Sequence, residues 1–170
     1  MMMEGLRVEV VDIATQKLQT AAAISYVSDP RFGGIATFIG CVRGQNLGRE
    51  VNGISYDLFD ALALRVFEQI GERALKEVGE PLKLYIGHAK GRLAIGDTAM
   101  LVAAGTPHRD EAFRACRLAI EAVKHEAPIW KQEHYMDGDS EWTEGCSLCE
   151  QQLEAERLRA QKNRHVDAHA

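Results

Sequence analysis

Along this chain, extended apolar stretches come in adjacent pairs between helical ones, and that order decides most of what it can fold into. A doubly wound parallel sheet needs a crossover helix between successive strands, whereas neighbouring strands joined by short loops pair antiparallel. Residues 35–42 and 51–58 read as strands separated only by the loop 43–50. Residues 82–86 and 98–104 read as strands flanking a turn that holds Gly91 and Gly96. Val-rich residues 6–13 read as a first strand and residues 129–136 as a last one. Three helices alternate with them. Residues 15–27 carry Leu18, Ala21, Ala22 and Tyr26 on one side and stop at Asp29-Pro30. In residues 61–78, Leu62, Val66, Phe67, Ile70, Ala74 and Val78 recur close to a helical period; Gly79 and Pro81 end the run. The third helix is expected to open with Thr106 as N-cap and Pro107 in the first position. Its buried stripe is Ala112, Phe113, Cys116, Ala119, Ile120 and Val123, and Pro128 closes it. The order predicts an α+β fold with antiparallel pairing.

With 170 residues the chain has the length of one domain. No run approaches the roughly 18 apolar residues of a membrane span. Glu4, Arg7 and Glu9 break any signal-peptide apolar region, so neither membrane nor secretion is expected. The formal charge of −5 argues against nucleic acid as partner. It leaves room for a small anionic ligand, because a pocket needs only local cations. Without a secretion signal, Cys41, Cys116, Cys146 and Cys149 are expected to be reduced, which points to the cytoplasm. Residues 146–170 read as a charged C-terminal tail, helical or disordered.

Four groups of residues could carry chemistry. In Thr106-Pro107-His108-Arg109, two cationic side chains meet the free N–H groups of a helix start, a ready anion site; pairing of Arg109 with a surface carboxylate is the plainer alternative. Lys124 near a helix end and Lys131 on the following strand are candidates for acid–base work if partly buried, and ordinary surface lysines otherwise. On that strand Ile129 and Lys131 share one face, Trp130 and Gln132 the other. Arg43, in the loop after Gly40-Cys41-Val42, could grip a phosphate with its planar fork, or belong to a simple hairpin. Cys146-Ser147-Leu148-Cys149 could be half a zinc site or a redox pair, or two inert thiols. The chain has no P-loop, no dinucleotide glycine fingerprint and no G-x-S-x-G, and His88 and His125 lack metal-spaced partners.

From about residue 6 to about residue 145 the sequence resembles the catalytic, large subunit of molybdopterin synthase. The resemblance rests on Gly40-Cys41-Val42-Arg43 with Asn46, on Gly87-His88, Gly91 and Leu93, and on Gly96-Asp97. It continues through Pro107-His108-Arg109 with Ala112-Phe113, then Lys124, Ala127-Pro128-Ile129-Trp130-Lys131 and Glu133, and ends at Asp137-Gly138 and Trp142. It implies an α/β hammerhead with an additional antiparallel sheet over residues 1–145. It also implies a homodimer that binds two small ubiquitin-like sulfur-carrier subunits as a heterotetramer. The carrier's C-terminal thiocarboxylate would give two sulfurs to cyclic pyranopterin monophosphate, forming molybdopterin. No metal and no cofactor of the chain's own is implied, and no cysteine nucleophile.

Carried onto matching positions, the resemblance makes Lys124 and Lys131 the catalytic lysines. Cys41, Val42 and Arg43 become part of the substrate site, as do Gln132 and Glu133 beside the second lysine. His108 and Arg109 become anion ligands reaching across the dimer. The chain departs from the family pattern at Gly44-Gln45 and at Ala89, where the family often has an imidazole-bearing loop and an arginine. A carrier-binding scaffold without catalysis, and a zinc or redox protein using Cys146 and Cys149, are the rival expectations.

Overall fold

A computed structural model describes residues 4–79 and 81–144. The tail, with Cys146 and Cys149, lies outside the described residues. In chain order the elements are β1 (Leu6–Asp12), α1 (Thr20–Val27), β2 (Gly34–Cys41), β3 (Gln45–Asn46), β4 (Arg49–Leu58) and α2 (Asp60–Val78). There follow β5 (Lys83–Leu93), β6 (Thr98–Thr106), α3 (Arg109–Glu126), β7 (Ile129–Tyr135) and β8 (Ser140–Glu144). The α+β class expected from the paired strands is the one observed.

The strands join in the order β2-β6-β5-β4-β7-β8, with β1 added to β5 and β3 to β4. β5 links two sub-sheets. Its first part lies between β6, antiparallel, and β1, parallel; Gly91, Arg92 and Leu93 then turn to pair with β4. The change of partner falls at Gly91, whose φ of +94° favours glycine. A Cβ there would also stand 3.1 Å from Ile13 Cγ2. This corrects two sequence expectations. The fifth strand does not end near residue 86, because residues 91–93 find hydrogen-bond partners on β4; the turn is confined to Ala94–Asp97, closed by Asp97 N–H donating to Ala94 O at 3.0 Å. The β1–β5 pair is parallel, an exception to the otherwise antiparallel pairing.

β6 explains where the core sits. Met100, Val102 and Ala104 join a cluster with α2 and α3, while Leu101 and Ala103 join one with Ala23 and Val27 of α1. A strand covered on both faces reads as a continuous apolar run, which is how residues 98–104 look in the sequence. α2 buries Ala63, Phe67, Ile70, Gly71 and Ala74. Leu62, placed in that stripe by periodicity, is 45% exposed, and Phe113 of α3 is 64% exposed. Small residues outside the expected stripes are buried instead: Ala63 on α2, and Ala115 on α3 beside Ala112 and Ala119.

Two helix starts differ from expectation. α1 begins at Thr20 because Asp12 captures the preceding segment. Its carboxylate accepts from Ala14 N–H at 2.9 Å, and its carbonyl accepts from Gln16 N–H at 2.9 Å and Thr15 Oγ1 at 3.1 Å. Thr106 does not cap α3. It is the last residue of β6, paired with Gly34, and its hydroxyl donates to His108 O at 2.6 Å. The extended His108 is the N-cap, without a side-chain capping bond, and Arg109 is the first helical residue. No described helix is long and apolar enough to cross a membrane.

Candidate active site

A cavity of about 310 Å³ opens where the end of β2, the segment after it, β4, β7 and the last turn of α3 converge. Arg43, Lys124 and Lys131 all line it. Each arrives for a local reason. Lys124 stands in the last turn of α3, where the dipole favours a cation. Its Nζ lies 5.8 Å from the centre of the Phe38 ring. On β7 the alternation expected from sequence holds: Lys131, Glu133 and Tyr135 turn inward while Trp130 is exposed. Lys131 is only 8% exposed and sits opposite Tyr56 of β4. Arg43 follows Val42, whose N–H donates to Asp97 O at 3.0 Å and whose carbonyl accepts from Gly96 N–H at 2.9 Å. A tight hairpin then reverses the chain through Leu47 (φ +48°) and Gly48 (φ +78°), pairing Asn46 with Arg49.

Glu133 is the electrostatic centre of the inner wall. Its Oε1 accepts from Lys131 Nζ at 3.1 Å, and its Oε2 accepts from Asn46 Nδ2 and from the Tyr135 hydroxyl, each at 2.6 Å. Burial pushes this carboxyl up, but the Tyr135 hydrogen bond, the Lys131 charge and the Asn46 donor outweigh it and hold it below its ordinary range. Tyr56, partly buried and facing the Glu133 charge, is pushed up to about 12 by desolvation and that charge, and stays a neutral phenol. His88 packs edge-on to Tyr56, ring centres 5.0 Å apart. Its Nδ1–H donates to Ala89 O at 2.8 Å, which leaves Nε2 unprotonated.

Burial, with the Lys124 charge added, brings His88 down to about 4. The unfolded chain takes up this proton near pH 6.5 and the folded one only near 4, so folding stability falls as pH drops between those values. The expected loss is on the order of 3 kcal/mol. Urea denaturation at pH 7 and pH 4.5 should show it, and His88→Gln should flatten that part of the profile.

The family model described as MoaE protein matches residues 13–126. The chain belongs to the MoaE family. It is 41% identical over 147 residues to the molybdopterin synthase catalytic subunit of Synechococcus elongatus, covering 86% of this chain and 89% of that one. It is 37% identical over 130 residues to molybdopterin synthase catalytic subunit 1 of Mycobacterium tuberculosis, covering 76% and 87%. The crystal structure of molybdopterin synthase from Staphylococcus aureus superposes with a TM-score of 0.74 at 31% identity, over 80% of this chain and 96% of that one. The complex of subunits 1 and 2 of molybdopterin-converting factor from Helicobacter pylori gives a TM-score of 0.60 at 25% identity, over 82% and 90%. The hammerhead with an additional antiparallel sheet, expected from the resemblance, is thus the architecture of this MoaE chain.

Of the residues that the MoaE resemblance singles out, Cys41, Arg43, Lys124, Lys131 and Glu133 meet at the cavity. The others stand elsewhere. Val42 is buried in the neighbouring core and contributes backbone anchors. Gln132 points to the opposite face of β7, its amide donating to Ser140 Oγ at 3.0 Å. His108 and Arg109 are exposed at the start of α3, with Lys124 in its last turn. Fifteen residues of helix put them about 22 Å apart, so one chain does not bring them together. Asn46, Tyr56, Phe38 and His88 line the cavity although spacing gave none of them a role. Asn46 and His88 did carry the resemblance; Tyr56 and Phe38 had no signal beyond alternation. Among the described residues no cluster of three or more His, Cys, Asp or Glu could hold a metal. Burial raises the Cys116 thiol to about 11, while Cys41 is exposed at the cavity.

Proposed function

We propose that this chain is the catalytic subunit of a molybdopterin synthase. In this reading it converts cyclic pyranopterin monophosphate to molybdopterin, in molybdenum cofactor biosynthesis in the cytoplasm. Two sulfurs come in succession from the C-terminal thiocarboxylates of two small ubiquitin-like carriers. The carrying observation is the convergence of Arg43, Lys124 and Lys131 on one cavity in a chain of net charge −5. A site that takes a phosphorylated substrate and an anionic thiocarboxylate needs such a local excess of cations. The names of the relatives, and the two-subunit complex from Helicobacter pylori, support the assignment and the carrier partner.

The division of labour follows from chemistry and place. Arg43, exposed at the mouth, offers a planar fork to phosphate and fixes the substrate's orientation. Lys124 and Lys131 stabilise the charge that develops as the thiocarboxylate sulfur bonds to the pterin side chain with loss of an oxygen from that carbon, and as water then takes the acyl group and releases the carrier as its carboxylate; one of them moves a proton there. The sulfur arrives on the carrier, so Cys41 and Cys116 need no nucleophilic role, and no cofactor or metal is required of the chain. His108 and Arg109 serve a second copy's cavity, which makes the working unit a homodimer within a heterotetramer.

The reading is tested by mixing purified chain, cyclic pyranopterin monophosphate and thiocarboxylated carrier, then following molybdopterin as its fluorescent oxidised derivative. Product is expected. Carrier binding without product would favour a non-catalytic scaffold, and absence of both would defeat the assignment.

A further inference from the structure

Asn46 is unusual for what its side chain forgoes. Its Nδ2 donates to Glu133 at 2.6 Å, yet its Oδ1 is buried without a partner among the described residues. A buried amide oxygen left unpaired is unfavourable, so the contact with Glu133 must hold the side chain in place. An ionised carboxylate can only accept, which fixes the amide with nitrogen toward Glu133.

The residue also sits at a junction. Asn46 belongs to the hairpin that directly continues the Arg43 segment. That segment is tied by backbone bonds at Val42 and by Val51 N–H to Gly44 O at 3.0 Å. Farther along, Arg49 lies over the Tyr135 ring, 3.6 Å from its centre, and pairs with Asp137 and Asp139 at 2.9 and 3.1 Å. The bond from Asn46 is the direct link from this hairpin to the carboxylate that contacts Lys131. Several charged or titratable groups surround Glu133. Lys131 and Tyr135 come from β7, Tyr56 and Arg49 from β4. Arg43 comes from the segment, Lys124 from α3 and His88 from β5.

We propose that Asn46 is a positioning residue: acting through Glu133, it fixes that carboxylate against Lys131 and ties the Arg43 segment to the same point. The proposal rests on the reading of Lys131 as a catalytic lysine, and its test separates the two. Asn46→Ala removes the donor. Asn46→Asp keeps the shape but sets a second carboxylate against Glu133.

The experiment is a ¹³C NMR titration of the Glu133 carboxyl and the Lys131 side chain in the full chain, alongside turnover against pH. In Asn46→Ala the Glu133 titration should move up by about one pH unit, and further in Asn46→Asp. The acidic limb of kcat should move with it, and the looser placement of Lys131 should lower kcat at neutral pH about tenfold. Should Asn46→Asp not fold, Asn46→Ala decides alone. Unmoved Glu133 and Lys131 signals in Asn46→Ala would overturn the proposal. An inactive wild type would instead defeat sulfur transfer, and the NMR titration would still judge Asn46.

Discussion

Lys131→Ala is expected to lower turnover about a thousandfold, the middle of the range for a lost acid–base or charge-stabilising group. The loss should fall on kcat, because the side chain is buried at the inner wall while Arg43 stays at the mouth to bind substrate. The same change leaves Glu133, 5% exposed, without its cationic partner. Breaking a buried pair is strongly unfavourable, so stability should drop by about 3 kcal/mol, softened by the donors Asn46 and Tyr135. Lys131→Arg separates the two effects. It restores the charge beside Glu133 and most of the stability, but its planar fork does not reproduce the compact ammonium, so the rate stays low. Rate and urea midpoint measured on the three proteins check this. Turnover of folded Lys131→Ala within tenfold of wild type would remove Lys131 from the chemistry.

Gly105→Ala should unfold the chain about 10 °C earlier, with cavity chemistry intact in the molecules that remain folded. A Cβ on Gly105 would stand 2.1 Å from Val27 O and 2.9 Å from Phe32 Cδ2. The first is backbone at the end of α1, so the helix itself must move off β6. Overpacking of this kind costs about 3 kcal/mol, and for a domain of this size each kcal/mol is worth about 3 °C. A thermal melt reads the effect, and a shift under 3 °C would show that α1 yields easily.

Gly105 also marks what the sequence could not disclose. A glycine in an apolar run signals a bulge or a close approach, without saying which backbone comes near. The paired strands made the fold class readable, and the 3.6-residue period made α2 readable, because both patterns are local. The stripe assignments of Leu62 and Phe113 failed because periodicity marks a face, and the width of that face is set by how closely a neighbour packs. Here Ala63 and Ala115 are buried while the larger Leu62 and Phe113 stay exposed. Thr106 and Pro107 looked like a helix start, but pairing of Thr106 with Gly34 carried the strand through them. β3 and β8 are short edge pieces whose pairing depends on turns at Gly48 and Gly138, too brief for any period to show.

At the site, alternation correctly placed Lys131 on the Ile129 face, while its burial and its carboxylate partner came from the long-range pairing of β4 with β7. Asn46 and Glu133 lie 87 residues apart, and no spacing rule joins them. The anion site suggested by His108 and Arg109 is separate from the lysine cavity within one chain, since a single helix holds the two groups near opposite ends.

The most direct test of the account follows the sulfur itself. A carrier whose thiocarboxylate bears isotopically labelled sulfur is mixed with the chain and cyclic pyranopterin monophosphate for a single turnover, and label is located by mass spectrometry. Direct transfer at the Lys124–Lys131 cavity predicts two labelled sulfurs in each molybdopterin, two carriers converted to the carboxylate form, and no label on Cys41 or Cys116. Carrier trapped as a thioester on Cys41 or Cys116 with its labelled sulfur released as sulfide, or product free of label, would contradict it.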